Sequence, residues 1–379
     1  MRHTLLTLSL LSMFACSGAA LAQDEAKHIS APQTERKIEL VFVLDTTGSM
    51  GGLLEGAKSK IWGIVNDIMQ KRGGKAQVKV GLVAYRDRED AYVTKVTPLS
   101  ANLDEVYAQL MSFKAEGGGD MPEDVRSAMH DALQKTGWSK KAADTSQILF
   151  LVGDAPPHDD YRNVPDTIAS AKEARRLGMI VNTIQCGNIR ETTRPWREIA
   201  QYGGGEYFAI AQDGGVQSIA TPYDAELAKY GAQMGDTYYA YGGAAMERSE
   251  KRAKQAKMES SLAAAAPKAA MAERAVNKAL NSSAYEESDL LQQLESGKLS
   301  MDKLQESDLP EELRKLSAAE RKAKLEKMLA ERKELKQKIL ELNKQREQFL
   351  AKAQREQDKK AGKAGFDQAV SDALGKQIK

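Results

Sequence analysis

Between residues 38 and 210 the chain alternates short apolar runs with amphipathic stretches. The runs are "IELVFVL" (38–44), "VKVGLVAY" (78–85), "ILFLVG" (148–153), "MIVNTIQC" (179–186) and "GEYFAI" (205–210). They are rich in β-branched residues and almost continuously apolar, as parallel strands buried on both faces must be. "AYVTKV" (91–96) is shorter and alternates, which predicts an edge strand. The intervening stretches repeat at helical spacing: Leu54, Ile61, Ile64, Val65 and Ile68 share one side of the first, and others span 102–113, 122–135, 163–177 and 195–202. This βαβ rhythm predicts an α/β fold, a doubly wound, mostly parallel sheet with helices on both faces. Such sheets bind ligands beyond the carboxyl ends of their strands, which directs attention to the loops after residues 44, 85 and 153.

The pattern changes at both ends. Arg2 and His3 precede the apolar run "TLLTLSLLSMFA", and "ALA" at 20–22 fits a small-x-small cleavage site. Residues 1–22 therefore read as a signal peptide followed by a linker over 23–37, and the expected location is periplasmic or secreted. A lipid anchor on Cys16 fits less well, because Met13 and Phe14 are poor lipobox residues. Removal of Cys16 would leave Cys186 alone, expected as a small buried residue. After the α/β domain (38–212), residues 213–283 are rich in Ala, Lys and Glu and read as an extension and a linker or loosely helical segment interrupted at Pro267. Residues 284–379 read as a helical region, with Ser288 and Ser317 as helix starts and Ser317–Glu320 as a capping box. Met328, Leu335, Leu342 and Phe349 recur every seven residues, with Leu325, Arg332, Ile339 and Arg346 as companions. The two arginines weaken a coiled-coil seam. A helix packed on a partner, one packed on its own domain, and an oligomer-forming helix all remain open.

Composition adds exclusions. With 42% hydrophobic residues, 28% charged residues and a net charge of +2, no global charge points to nucleic acid, and the C-terminal basic residues alternate with acids as a solvated face does. No stretch of the mature chain has the roughly 20 apolar residues of a membrane span.

The candidate chemistry lies where strands end. Asp45 closes the first strand and is followed by Thr46, Thr47 and Ser49; "AEGGGDMPED" offers Asp120, with Glu123 and Asp124 behind it; "LVGDAPPHDD" offers Asp154. Three acidic loops at one sheet edge repel one another without a cation, and this donor set suits a hard divalent ion such as Mg²⁺, with Ca²⁺ or Mn²⁺ as variants. The competing reading of Thr47 and Ser49 is a helix N-cap. A phosphate loop would need a Gly-Lys-Ser/Thr ending, which is absent. Glu123 and Asp124 are expected in a first helical turn after Pro122. His158, Asp159 and Asp160 invite a transition-metal or hydrolase reading, but a lone His lacks the ligand set of a zinc site, so the stretch reads as a solvated loop, and "YRDRED" (85–90) as a charged turn near the site.

"DTTGS" resembles the Asp-x-Ser-x-Ser metal-ion-dependent adhesion site of von Willebrand factor A domains, and the resemblance covers residues 38 to about 212. Asp45, Thr47 and Ser49 match the first motif, with threonine for the first serine, and Asp154 matches the later aspartate. The family's second loop usually supplies a threonine after a glycine pair; "GGGD" places Asp120 there instead. The extra charge should tighten cation binding and leave less positive charge for an acidic ligand. "DTTGSM" with "GGGDMPED" is similar to bacterial members and to domains attached to some atypical kinases, although no kinase motif set is present. The resemblance implies binding rather than turnover: a protein-interaction module that meets a partner protein through an acidic residue at the metal. A metal-dependent hydrolase, or an envelope protein whose metal only stabilises it, are the alternatives.

Overall fold

A computed structural model of the chain describes residues 36–71, 76–215, 219–281, 284–285, 288–358 and 365–378. The expected signal peptide, Cys16 and most of the first linker lie outside the described residues.

Six strands form one sheet: β1 (Arg36–Asp45), β2 (Ala76–Tyr85), β3 (Thr94–Ser100), β4 (Thr145–Gly153), β5 (Ile180–Cys186) and β6 (Gly204–Ile210). Their order is β3-β2-β1-β4-β5-β6, and only the edge strand β3 runs antiparallel. The helices of this part are α1 (Gly51–Lys71), α2 (Leu103–Ser112), α3 (Val125–Gln134), α4 (Thr167–Arg176) and α5 (Arg190–Gly203). Strand alternation sorts the core into two layers. Ile38, Leu40, Phe42 and Leu44 of β1 face α1 and α2, whereas Val41 and Val43 face α3, α4 and α5. Phe42 stacks on Phe150 at 5.4 Å between ring centroids. The edge strand begins at Thr94, later than the alternation predicts, because Tyr92 is drawn into the loop: its hydroxyl bonds Thr46 Oγ1 at 2.7 Å, and Arg86 and Lys95 lie over its ring. Chain order reverses between β1 and β4, so the crevice beyond their carboxyl ends is the topological switch point.

The segment expected as a linker or a loosely helical stretch broken at Pro267 is folded, with helices on either side of that proline. It forms α6 (Asp224–Asp236), α7 (Ala245–Ala265) and α8 (Lys268–Leu280). Its shortage of large apolar residues reads as an inability to pack, yet small residues let helices approach closely. A Cβ placed on Gly231 of α6 would lie 2.7 Å from Ala275 Cβ of α8. Polar contacts fix α8 against the sheet's helices: Asn66 of α1 donates to Glu273, and Arg274 makes paired bonds of 2.7 and 2.6 Å to Asp104 of α2.

Then follow α9 (Leu290–Glu295), the single turn α10 (Glu311–Arg314), the long α11 (Ala318–Asp358) and α12 (Phe366–Gln377). The capping box forms, Ser317 and Glu320 bonding reciprocally, but α9 is capped by Asp289 rather than Ser288. The seam of α11 packs on its own chain: Leu325 joins Leu290, Leu309 and Leu313, while Leu335 and Ile339 join Leu227 and Val276. A coiled-coil seam is thus replaced by internal packing, and the two arginines show why. Arg332 donates to Thr237 and pairs with Asp289, and Arg346 pairs with Asp224 and Glu273. The amphipathic end α12 returns to the α/β layer. Phe366, Val370 and Leu374 enter the same core as β1 and α1, and the Phe366 N–H bonds Gly214 O at 2.9 Å. None of the described helices is long and apolar enough to cross a membrane.

Candidate metal centre

Asp45 is the last residue of β1, hydrogen-bonded in register beside Tyr85, and its side chain is fully buried. The next three residues diverge. Thr46 turns inward, its hydroxyl donating to Tyr85 O at 2.9 Å, which removes it as a ligand. Thr47 turns back: its N–H and hydroxyl both donate to Asp45 Oδ1, at 2.9 and 2.6 Å. Ser49 Oγ lies 3.4 Å from Thr47 Oγ1 at the exposed rim. Neither hydroxyl caps the following helix: Thr47 occupies the N-cap position without a side-chain capping bond. The N-cap reading therefore gives way to one in which the Thr47 hydroxyl holds Asp45 and Ser49 lies beside Thr47 at the rim. Asp45 Oδ2 is buried without a hydrogen-bond partner.

Asp154 follows β4 across the switch point. It is buried, and its Oδ2 accepts a 2.6 Å bond from Gln212, two residues after β6, which also reaches Ser49 O. Gly153 lets these strands close up: a Cβ there would fall 2.4 Å from Tyr85 Oη and 3.0 Å from Asp45 Oδ2.

The third loop departs from the sequence expectation. Gly117 and Gly118 both adopt positive φ, at 81° and 84°, a conformation open to glycine at little cost. Gly117 O accepts from Gly48 N–H, and a Cβ on Gly118 would lie 3.1 Å from Thr47 Cβ. The loop thus folds over Thr47 before its acids arrive. Asp120 then sits at the surface with its side chain 65% exposed and Oδ2 3.8 Å from His158 Nε2. Among the described residues no hydrogen bond or ion pair joins Asp120 to Asp45, Thr47, Ser49 or Asp154. Glu123 faces inward instead. It is 3% exposed, its Oε2 has no partner, and a Cβ on Gly118 would lie 3.2 Å from its Oε1. Its backbone is pinned to the loop after β4, with Glu123 N–H bonding Pro156 O and His158 N–H bonding Glu123 O. Glu123 precedes α3; the cap of that helix is Asp124, which accepts from Ser127 N–H.

The acids share one electrostatic environment. Burial pushes Asp45 up to about 7, against its bonds from Thr47, with Asp154 adding repulsion. Burial, then Asp45, Asp87, Asp90 and Asp154, raise Glu123 to about 9. Asp45, Asp154, Glu123, Thr47 and Ser49 form an all-oxygen, electronegative edge, the donor chemistry of a hard divalent cation. The sulfur of Cys186 is buried, and burial with the neighbouring Asp154 and Asp45 pushes its thiol well up, so it offers no ready nucleophile. The acids beside His158 are exposed, as a solvated loop expects, but the side chain of His158 itself is largely buried and its ring stacks on Tyr161 at 4.0 Å.

Comparison with known sequences agrees with this architecture. The sequence model of the von Willebrand factor A domain matches residues 39–222. Von Willebrand factor A domain-containing protein 7 of Homo sapiens is 29% identical over 190 residues, spanning 48% of this chain and 20% of that protein. Alpha-protein kinase vwkA of Dictyostelium discoideum is 26% identical over 160 residues, 39% of this chain and 25% of the kinase. The chain therefore spans a quarter or less of the length of these relatives. An aerotolerance-related membrane protein from Bacteroides fragilis superposes with a TM-score of 0.31 at 15% identity, covering 47% of this chain and 92% of that one. The strand order, the switch-point site and the match over residues 39–222 make this part of the chain a von Willebrand factor A domain.

Proposed function

We propose that the chain is an exported protein-interaction module whose von Willebrand factor A domain holds a divalent cation, Mg²⁺ foremost, and meets its partner there. One observation carries the reading: Asp45 Oδ2 and Glu123 Oε2 are buried carboxylate oxygens without partners at an edge also lined by Thr47 and Asp154. Such groups are strongly destabilising when ionised and unpaired, and a cation supplies the missing charge. Asp45, Thr47, Ser49 and Asp154 would hold it, with Glu123 supplying the third acid in place of Asp120. The bound cation would offer Lewis acidity toward a carboxylate of the partner. Export rests on the signal-like residues 1–22. The helical region packs on the domain and on itself, and the apolar seam of α11 is consumed internally. No activated nucleophile accompanies the site, so binding is favoured over hydrolysis and the chain is read as a non-enzyme.

The test is crosslinking and pull-down from the cell envelope with the full chain, with Mg²⁺ or with a chelator, beside Asp45→Ala. The reading expects partners captured with Mg²⁺ and lost in both other arms. Identical capture in all three would leave the cation a stabiliser only.

A further inference from the structure

Beside the Asp45 edge, three other side chains converge. His158 Nε2 faces Asp87 Oδ2 at 3.5 Å and Asp120 Oδ2 at 3.8 Å, and one donor atom from each residue lies within 4.8 Å of the others. The imidazole is held from behind. Asp160 Oδ1 sits 2.9 Å from Nδ1, and the ring stacks on Tyr161 at 4.0 Å. Tyr161 also orients the acid, its hydroxyl donating to Asp87 Oδ2 at 3.0 Å, while the Arg88 guanidinium lies 3.6 Å from the Tyr161 ring centroid. With this support in place, His158 Nε2 and Asp87 Oδ1 are inaccessible to solvent and have no hydrogen-bond partner.

The distances discriminate between explanations. Gaps of 3.5 and 3.8 Å are long for direct hydrogen bonds. Zinc binds nitrogen and oxygen at about 2.0–2.2 Å, which separates two ligands on a tetrahedral ion by roughly 3.4 Å. The spacing is thus close to that of donors around a shared ion. A carboxylate on the far nitrogen is also the arrangement that fixes the tautomer and raises the basicity of a metal-bound histidine.

We propose that Asp87, Asp120 and His158 form a second cation site, for a divalent transition metal of the Zn²⁺ class. One imidazole and two carboxylates suit that ion better than Mg²⁺, which prefers oxygen donors. The exposure of Asp120 leaves the remaining coordination position open to water or to an external ligand. Occupancy ties together the loop after β2, the glycine-rich loop and the loop after β4, which flank the Asp45 edge. The site shares no ligand with that edge and does not require a cation there. It also gives Asp120 a role that the first site leaves unfilled.

The experiment titrates the full-length chain with Co²⁺, read by visible absorption, in an Asp45→Ala background; if that variant does not fold, the native chain saturated with Mg²⁺ replaces it. The expected result is one equivalent of Co²⁺ in a nitrogen-containing site, displaced by Zn²⁺ and not by Mg²⁺. His158→Ala should abolish it, Asp120→Asn, at an exposed position, should weaken it at least tenfold, and Asp160→Asn should weaken it about 10–100-fold. No Co²⁺ binding, or binding unchanged by His158→Ala and Asp120→Asn, overturns the proposal. Loss of Mg²⁺ binding in Asp45→Ala with Co²⁺ binding retained would separate this site from the first.

Discussion

The Thr47 hydroxyl donates to Asp45 Oδ1 at 2.6 Å, and the second oxygen of the same carboxylate is buried with no partner. One residue of a short loop thereby orients an acid while leaving half of it unsatisfied. A helix cap would have sent that hydroxyl to a backbone N–H.

Stability should depend on pH in a direction set by these acids. Burial holds Asp45 at about 7 and Glu123 at about 9 in the folded chain, whereas unfolded carboxyls titrate near about 4. Both shifts are upward, so the native state keeps protons that the unfolded chain has released. Their contribution is full below the ordinary carboxylate range and is lost as pH rises through about 7 and then about 9. From Asp45 alone the loss is of order 4 kcal/mol at most. In chelator, Tm should fall from pH 5 to pH 9. Added Mg²⁺ should restore it, by more at higher pH, because the cation binds the ionised form. A metal-free Tm that stays flat or rises over this range would contradict the electrostatic account.

Gly153→Ala should destabilise the domain by about 1–3 kcal/mol, since its methyl would meet Tyr85 Oη at 2.4 Å. Tyr85→Phe removes that oxygen and should recover part of the loss in the double variant. Urea denaturation of the four chains checks this, and strict additivity would show that the clash lies elsewhere.

Arg332→Ala should cost about 3–5 kcal/mol, because it strands Asp289 in the core without its guanidinium. Arg332→Met with Asp289→Asn should be much milder than Arg332→Ala alone. Calorimetric unfolding distinguishes the two cases.

Phe366→Ala should destabilise the sheet domain itself, by about 3–5 kcal/mol, although Phe366 lies more than 150 residues after β6. Its ring packs 6.2 Å from that of Phe42. Hydrogen exchange on β1 reads the effect directly. Unchanged protection of β1 would mean that the domain is complete without α12.

The strands were legible because a parallel sheet buried on both faces needs continuous apolar runs, and 38–44 or 148–153 can be little else. Asp45 and Asp154 were legible because they stop such runs at the ligand edge. The helices of 213–283 were legible only as a loosely helical stretch broken at Pro267, and their packing was not: Gly231 and Ala275 pack through their smallness, which composition reads as weakness. Nor were the roles of Arg332 and Arg346, whose acids lie far away in sequence, at Asp289, Asp224 and Glu273. In "GGGDMPED" the spacing favoured Asp120, but two left-handed glycines consume the approach to Thr47, and the acid that turns inward is Glu123.

The central claim is that Asp45 and Glu123, rather than Asp120, hold the hard cation. Isothermal titration with Mg²⁺ of the native chain, Asp45→Ala, Glu123→Gln and Asp120→Asn tests it most directly. The account predicts one Mg²⁺ site that is lost in Asp45→Ala, clearly weakened in Glu123→Gln and nearly unchanged in Asp120→Asn. Negligible heat in all four chains, or binding that disappears with Asp120→Asn and survives Glu123→Gln, would contradict it.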